Sequence, residues 1–430
     1  MRDFLPADKA RRERVLAVIR DRYRAHGFDE IETPVVEEYA RLHAGIGGDN
    51  EKLSFSVLKR GMDADAIRAN ADDPAALSDL GLRYDLTVPL ARFYASHRAE
   101  LPAVFRSIQI APVWRAERPQ KGRYRQFLQC DIDIIGDASA RAEAELLAAS
   151  LDTLDALGLD GGTIRVNDRR ILRGMLNLLG IGDDVSASAL ITLDKLDKIG
   201  PDGVVAELRD NGVPADAAAE YLRTLLPGTD GASSTGLSVP VTLEAILRVL
   251  PPVNLLPEEV RQAAADLAGI AEAVAAARGI PVADVPLVFD PFLVRGMGYY
   301  TGTIFELAHP SVGFSLGGGG RYDGMIGRFL GQDVPAVGFS LGFERIVDLV
   351  SPGTATASDA VVLVHDRDVP VAQLARLKAA FVGEGARVRL EQRTKNLKGL
   401  LERATADGYT SFATVTAGQE RADLQVKTLD

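Results

Sequence analysis

The chain has little of several things that would point quickly to a function. In 430 residues it carries one cysteine, Cys130, one tryptophan and five histidines. A lone thiol excludes an internal disulfide, and five histidines without close spacing argue against a structural zinc site. No uncharged apolar run approaches the ~20 residues that a membrane span needs, and the opening MRDFLPADKARRER has no apolar stretch of the kind that directs export. These absences predict a cytoplasmic protein with no membrane association, whose chemistry rests on other groups.

Positive charge is also scarce, with a formal net charge of −11. That balance argues against broad nucleic-acid binding, which needs positive potential. Two local clusters depart from it. Arg115, Arg118, Lys121, Arg123 and Arg125 crowd one short segment, and Arg387, Arg389, Arg393, Lys395, Lys398 and Arg403 gather near the C-terminus. Both are candidate phosphate surfaces.

What is present is an ordinary globular composition, 47% hydrophobic and 25% charged, in a chain long enough for two or three cores. Val15, Leu16, Ile19 and Tyr23 recur at helical spacing and predict a helix over 7–26 that stops at Gly27. FDEIETPVVE then alternates up to Pro34, as an edge strand does. From LRYDLTVPLARF (82–93) through VFRSIQIAPVWRAERPQKGRYRQFLQCDIDIIG (104–136) the pattern predicts antiparallel strands around a basic hairpin loop. Residues 140–157 are Ala-rich and helical, and 169–282 read as an inserted helical module broken at LPGTDGASSTGLSVP (225–239). Strand patterning returns at 287–318, followed by GGGGRYDGMIGRF and by VPAVGFSLGFERIVDLV, a Gly-rich strand running into a helix. After SPGTATASD (351–359), a linker by composition, the tail alternates as βαβαβ.

Within that frame some residues fit chemistry better than packing. Alternate strand residues share a face, so Arg115 with Glu117, and Gln129 with Asp131 and Asp133, can each line one side. Arginine suits a phosphate because its planar fork binds two oxygens and stays charged; a solvated, salt-bridged hairpin fits the same residue types equally well. LRYDLT offers Asp85 and Thr87 two apart, hence on one strand face, where a carboxylate and a hydroxyl could receive an ammonium, although a strand-end Asp and Thr more often serve a turn. GGGGRYDG lacks the Lys and Ser/Thr of a phosphate loop and reads instead as close backbone packing. In LVRGMGYYTGTIFE (293–306), Arg295 stands beside Tyr299 and Tyr300. Arg115, Arg295 and Arg345 all sit among residues that predict burial, and such charge is costly unless an anion compensates it.

These segments, in this order, resemble the class II aminoacyl-tRNA synthetases, and specifically the histidyl-tRNA synthetases. The first helix with Pro34 resembles motif 1, FRSIQIAPVWRAERPQKGRYRQF motif 2, and VPAVGFSLGFERI motif 3. ERPQKGRYRQF and the LVRG..YYTGTIFE frame are the specific signatures, with LRYDLT in support. The resemblance implies an α+β fold: an antiparallel sheet of six or seven strands flanked by helices, with a helical insertion and a C-terminal α/β anticodon-binding domain. It also implies a homodimer built partly on motif 1. The corresponding bounds are 1–168 and 283–350 for the catalytic core, 169–282 for the insertion and 358–430 for the anticodon domain.

The resemblance also implies roles. ATP and L-histidine would form histidyl-adenylate with Mg²⁺ bound to the phosphates, and histidine would then pass to tRNA(His). Arg115 would hold the α-phosphate and the substrate carboxylate, Arg295 would support the α-phosphate, and Arg345 would sit on the far phosphates. Glu117 and Arg123 would fix the adenine and the bent triphosphate. Asp85, Thr87 and Gln129 match the positions that hold the α-amino and carboxylate groups, and Asp133 and Tyr300 those that bind the imidazole nitrogens, with Tyr299 shaping the pocket. Gln120 and Lys121 would meet the acceptor stem. This chain departs from the family pattern at Asp133, where glutamate is usual, at Met297–Gly298, where Leu-Asp is usual, and in a shorter C-terminal domain. Two rivals share parts of the pattern: the synthetase-like regulatory subunit of ATP phosphoribosyltransferase, and a tRNA-binding or stress-sensing module without synthesis.

Overall fold

The computed structural model describes residues 1–43, 53–73, 75–118, 122–193, 195–216, 219–220, 238–294, 299–350 and 360–429. Gln120, Lys121, the stretch from Arg295 to Gly298, most of the 225–239 break and the 351–359 linker lie outside the described residues. The chain divides into two compact units, Val18–Leu349 with Met1, and Arg2–Ala17 with Val350–Asp430. Among the described residues no helix is long and apolar enough to cross a membrane.

In chain order the first unit has strands β1 (Asp29–Glu30), β2 (Val36–Glu38), β3 (Phe55–Leu58), β4 (Ser78–Leu82), β5 (Phe105–Trp114) and β6 (Gln126–Ile135). It continues with β7 (Thr163–Asp168), β8 (Val239–Pro240), β9 (Leu287–Phe289), β10 (Thr303–Ala308), β11 (Gly317–Arg321) and β12 (Ala336–Gly342). One sheet has the order β1-β5-β6-β12-β11-β10-β7-β9-β8, and a small one the order β2-β4-β3. Antiparallel pairing is unbroken from β5 across to β7. β1 adds to β5, and β9 to β7, in parallel. The antiparallel sheet of the sequence reading is therefore the centre of a wider, mixed one.

The hairpin β5–β6 follows from its period-two pattern. Cys130, Ile132 and Ile134 are buried on one face, where helix Arg141–Ala156 packs across β6 and β12. Gln129, Asp131 and Asp133 take the other face. Next to them β11 and β12 approach more closely than side chains permit: a Cβ on Gly319 would lie 1.9 Å from the Gly338 carbonyl oxygen. The run of glycines is backbone packing, as its sequence suggested.

One local reading changes. LRYDLT is not a strand: β4 ends at Leu82, and Thr87 opens helix Thr87–His97. Asp85 Oδ1 accepts the Val88 N–H at 3.2 Å, and Pro89 sits in the first turn, where its missing N–H costs nothing. Val88, Ala91 and Tyr94 then recur at a helical interval and are buried. Residues 169–282, read as an inserted module, share one compact unit with the sheet. β8 pairs with β9 at its edge, and helix Glu258–Arg278 packs on β7 and on helix Arg141–Ala156. A satellite core of Leu176, Ile181, Val204, Leu208 and Val213 holds the helices between Arg169 and Asp210.

In the second unit, β13 (Ala360–His365) lies between β14 (Arg387–Gln392) and β15 (Ser411–Val415), parallel to both, and β16 (Lys427–Thr428) adds antiparallel to β15. Helices Val371–Gly383 and Leu397–Ala406 make the crossovers, giving the βαβαβ order read from the tail.

One buried ion pair ties sheet to helix in the first unit. Arg321 on β11 donates from Nε and Nη2 to the two carboxylate oxygens of Glu143, each at 2.6 Å, and from Nη1 to the Asp137 carbonyl at 3.1 Å. Replacing Arg321 by Met strands a buried carboxylate and is expected to cost about 3–5 kcal/mol. Urea unfolding followed by the fluorescence of Trp114 checks this. The double variant Arg321→Met/Glu143→Leu should lose clearly less than the single one.

Candidate active site

The polar face of β6 opens into a cavity of about 280 Å³. Asp85, Thr87, Gln129, Asp133, Tyr299 and Tyr300 line it, and so do Arg115, Glu117, Arg123 and Arg345. The residues singled out from sequence are thus brought together, except Arg295, Gln120 and Lys121, which fall outside the described residues.

The cationic end is held by main chain. Arg115 continues from β5, where its N–H donates to the Arg125 carbonyl at 2.9 Å and its Nε to the Tyr84 carbonyl at 2.9 Å. Its guanidinium lies 5.1 Å from the centre of the Phe127 ring. Arg345, in the first turn of helix Phe343–Leu349, donates from Nε to the Gly122 carbonyl at 2.9 Å and from Nη1 to the Ser315 carbonyl. These bonds orient two arginine forks with neutral acceptors, so the bonds do not cancel the positive charge.

The opposite end is acidic. Asp85, Asp131 and Asp133 are all buried. Burial first, then Asp133, pushes the Asp131 carboxyl well above the usual carboxylate range. Burial raises Asp133 to about 7, with Asp85 adding to the effect and the Tyr322 hydroxyl opposing it by donating to Asp133 Oδ1 at 2.6 Å. Tyr299 bonds with Thr87 and presents its ring to Tyr322 edge-on, centroids 6.1 Å apart. Tyr300 lies over Gly320, where a Cβ would come within 2.9 Å of its ring, and packs on Leu172, Val294 and Ile304. Tyr322, which the sequence reading did not single out, is an aromatic hydroxyl bonded to Asp133.

Several cavity residues escaped the sequence reading. Tyr322 was hidden behind a glycine run read as packing. Ser340 and Glu344 flank Gly342 within motif 3, and only the cross-strand register, which sets Ser340 opposite Asp131, reveals the serine. Glu344 Oε1 accepts the Leu128 N–H at 3.3 Å. Chemically, the arrangement can receive a cation or a set of N–H donors at one end and an anion at the other.

The sequence profile described as histidyl-tRNA synthetase matches residues 1–346. The chain belongs to the histidyl-tRNA synthetase family. Among relatives in that family, the histidine–tRNA ligase of Leifsonia xyli subsp. xyli is 59% identical over 433 residues, spanning 100% of this chain and 97% of that protein. The probable histidine–tRNA ligase of Tropheryma whipplei (strain Twist) is 42% identical, spanning 96% and 93%. The crystal structure of the histidyl-tRNA synthetase from Nostoc sp. PCC 7120 superposes with a TM-score of 0.76 at 26% identity, covering 100% of this chain and 93% of that one. A Bacillus halodurans protein titled both as an ATP phosphoribosyltransferase regulatory subunit and as a histidyl-tRNA synthetase superposes at 0.74 with 20% identity, covering 97% of each chain; that likeness concerns the fold alone.

The Asp133 carboxyl carries a pH dependence. Its folded value of about 7 exceeds the ordinary 3.8, so the folded chain keeps a proton that the unfolded chain has lost. Stability from this group is therefore greatest below the ordinary value and falls as the pH rises towards 7. Between pH 5 and 7 the ligand-free protein should lose about 2 kcal/mol through it. Urea titrations at both pH values test this: Asp133→Asn should flatten the difference, and equal slopes in the two proteins would place the proton elsewhere.

Proposed function

We propose that this chain activates L-histidine with ATP and transfers the histidyl group to tRNA(His). The observation that carries the reading is the division of a single cavity into an acidic, hydrogen-bonding end and an end with two main-chain-held arginines, in a chain of this family. In the first step the histidine carboxylate attacks the α-phosphorus of ATP. A carboxyl–phosphate anhydride forms, and the bond to pyrophosphate breaks. In the second, a hydroxyl of the terminal tRNA ribose attacks the carbonyl carbon and AMP departs. Neither step needs a nucleophilic side chain. Holding reactants in line, and placing positive charge where negative charge develops, supply the acceleration.

In this reading Arg115 holds the α-phosphate and the substrate carboxylate, and Arg345 the far phosphates. Glu117 and Arg123 fix the adenine and the bent triphosphate, and Arg295 supports the α-phosphate. Asp85, Thr87 and Gln129 take the α-ammonium and carboxylate. Asp133, with Tyr322 behind it, and Tyr300 take the two imidazole nitrogens, and Tyr299 shapes the pocket. A site that pairs both ring nitrogens rejects apolar analogues, because these leave its own polar groups buried and unpaired.

Mg²⁺ fits the donor set as a partner of ATP. Among the described residues there is no group of three metal-binding side chains, and Mg²⁺ on a nucleotide needs only one or two carboxylates beside the phosphates. Glu344, which lines the cavity, would supply one. When bound, the ion offsets phosphate charge.

The second unit would read the tRNA. Arg387, which lies over the buried Tyr409 ring at 4.5 Å, and Lys395 are exposed there, a cationic surface suited to a phosphate backbone. Gln120 and Lys121 would meet the acceptor stem. Val36, Leu58 and Leu80, exposed on the small sheet, favour a homodimer. The reaction belongs in the cytoplasm, with no membrane partner.

Exchange of labelled pyrophosphate into ATP, run with each of the twenty amino acids, tests the activity. Exchange should appear with histidine and fall at least ~100-fold in Arg115→Ala. No exchange with any amino acid would leave the regulatory-subunit reading in its place. Arg387→Glu should lower kcat/KM for tRNA charging while pyrophosphate exchange persists; equal loss of both would contradict the division of roles between the units.

A further inference from the structure

Among the described residues that line the cavity, Gln129 is the one carboxamide, and an amide presents either an acceptor or a donor depending on how it is turned. Its orientation here has a physical cause. Gln129 and Asp131 are alternate residues of β6 and share its polar face, while on β12 Ser340 stands opposite Asp131 and Gly342 opposite Gln129. Gly342 leaves the space across from Gln129 empty of side chain, and the amide leans towards Ser340. Nε2 lies 3.1 Å from Ser340 Oγ and 3.4 Å from Asp131 Oδ2. Turned the other way, Oε1 would face the carboxylate, acceptor against acceptor.

The consequence falls on the oxygens left over, in two residues that line the cavity. Gln129 is 9% exposed and Asp131 4%. Gln129 Oε1 and Asp131 Oδ1 are both buried atoms without a hydrogen-bond partner. A buried acceptor left in that state is destabilising until a donor arrives. Two acceptors of this kind, in a cavity already rich in carboxylates, fit a primary ammonium, which brings three donors and a positive charge. Such a charge would also counter the burial that raises the Asp131 carboxyl.

We infer that Asp131 is a positioning residue for the α-ammonium of the amino-acid substrate: with Ser340 it fixes the Gln129 amide so that Oε1, not the NH₂ group, faces the cavity. The inference rests on the activation reading, and it assigns a task to a carboxylate that the imidazole contacts do not use. Asp131→Asn is near-isosteric and removes a buried charge, so the fold is retained, but the new NH₂ group lets the glutamine turn.

The test is histidine-dependent pyrophosphate exchange, with 3-(imidazol-4-yl)propionate, which lacks the ammonium, as a competitive inhibitor. Asp131→Asn should raise the KM for histidine tenfold or more, with the KM for ATP and the inhibition constant of the analogue each within about twofold of wild type. Ser340→Ala should act in the same direction but less. Adding Gln129→Glu to Asp131→Asn should restore histidine affinity, because a carboxylate presents an oxygen whichever way it turns. The inference is overturned if Asp131→Asn leaves the histidine KM unchanged, if it weakens the analogue as much as histidine, or if the double variant is no better than the single. Absence of exchange in the wild type would instead bring down the activation reading, and this inference with it.

Discussion

Unlike charges held away from bulk water on a single sheet face constrain everything around them. A buried carboxylate or guanidinium is costly unless matched, and the first unit meets that cost in two ways. Where the charge serves the fold it is matched internally: Arg321 and Glu143 meet through two bonds and receive main-chain carbonyls besides. Where it faces the cavity, Arg115 and Arg345 are oriented by bonds to main-chain carbonyls. Three carboxyls stand at the other end, two of them with a raised affinity for protons. Substrates of complementary charge complete the electrostatics.

That arrangement depends on a floor almost without side chains. β11 contributes glycines from 317 to 320, and β12 offers Gly338 and Gly342 on either side of Ser340. Removing Cβ atoms brings the two backbones together and leaves the volume above them to ligands. It also lets Tyr300 lie down over Gly320. The apolar face of β12 and β6 is packed by helix Arg141–Ala156, so the sheet is covered on one side and hollow on the other.

What could be read from the sequence followed from periodicity. The hairpin Phe105–Ile135, the first helix with its Gly27 stop, and the βαβαβ order of the second unit all follow from spacing alone. Short or conflicting signals did not carry. LRYDLT alternates like a strand, but Asp85 accepts the N–H of Val88, three positions on, in the first turn of a helix. β8, two residues long, joins the sheet by pairing with β9, a long-range contact that no local pattern announces. In the cavity, the arginines and acids were visible because charged residues among apolar neighbours stand out. Tyr322 and Ser340 were not, because a tyrosine after a glycine run and a serine in a buried strand acquire meaning only from what the register puts opposite them.

The shorter acid at position 133 illustrates how such partners come as a set. Asp133 stands opposite Gly338, and a Cβ there would lie 1.9 Å from Asp133 Oδ1 and 3.3 Å from the Tyr322 ring. The carboxylate therefore occupies the space that the glycine leaves empty, and Tyr322 closes on it from β11's end with a 2.6 Å bond. One oxygen is thereby fixed by a donor of the protein's own. A glutamate would carry its oxygens one methylene beyond the Gly338 gap and away from that hydroxyl. The three residues satisfy one geometric condition together: a carboxylate kept short and low against the sheet, held from one side by a phenol.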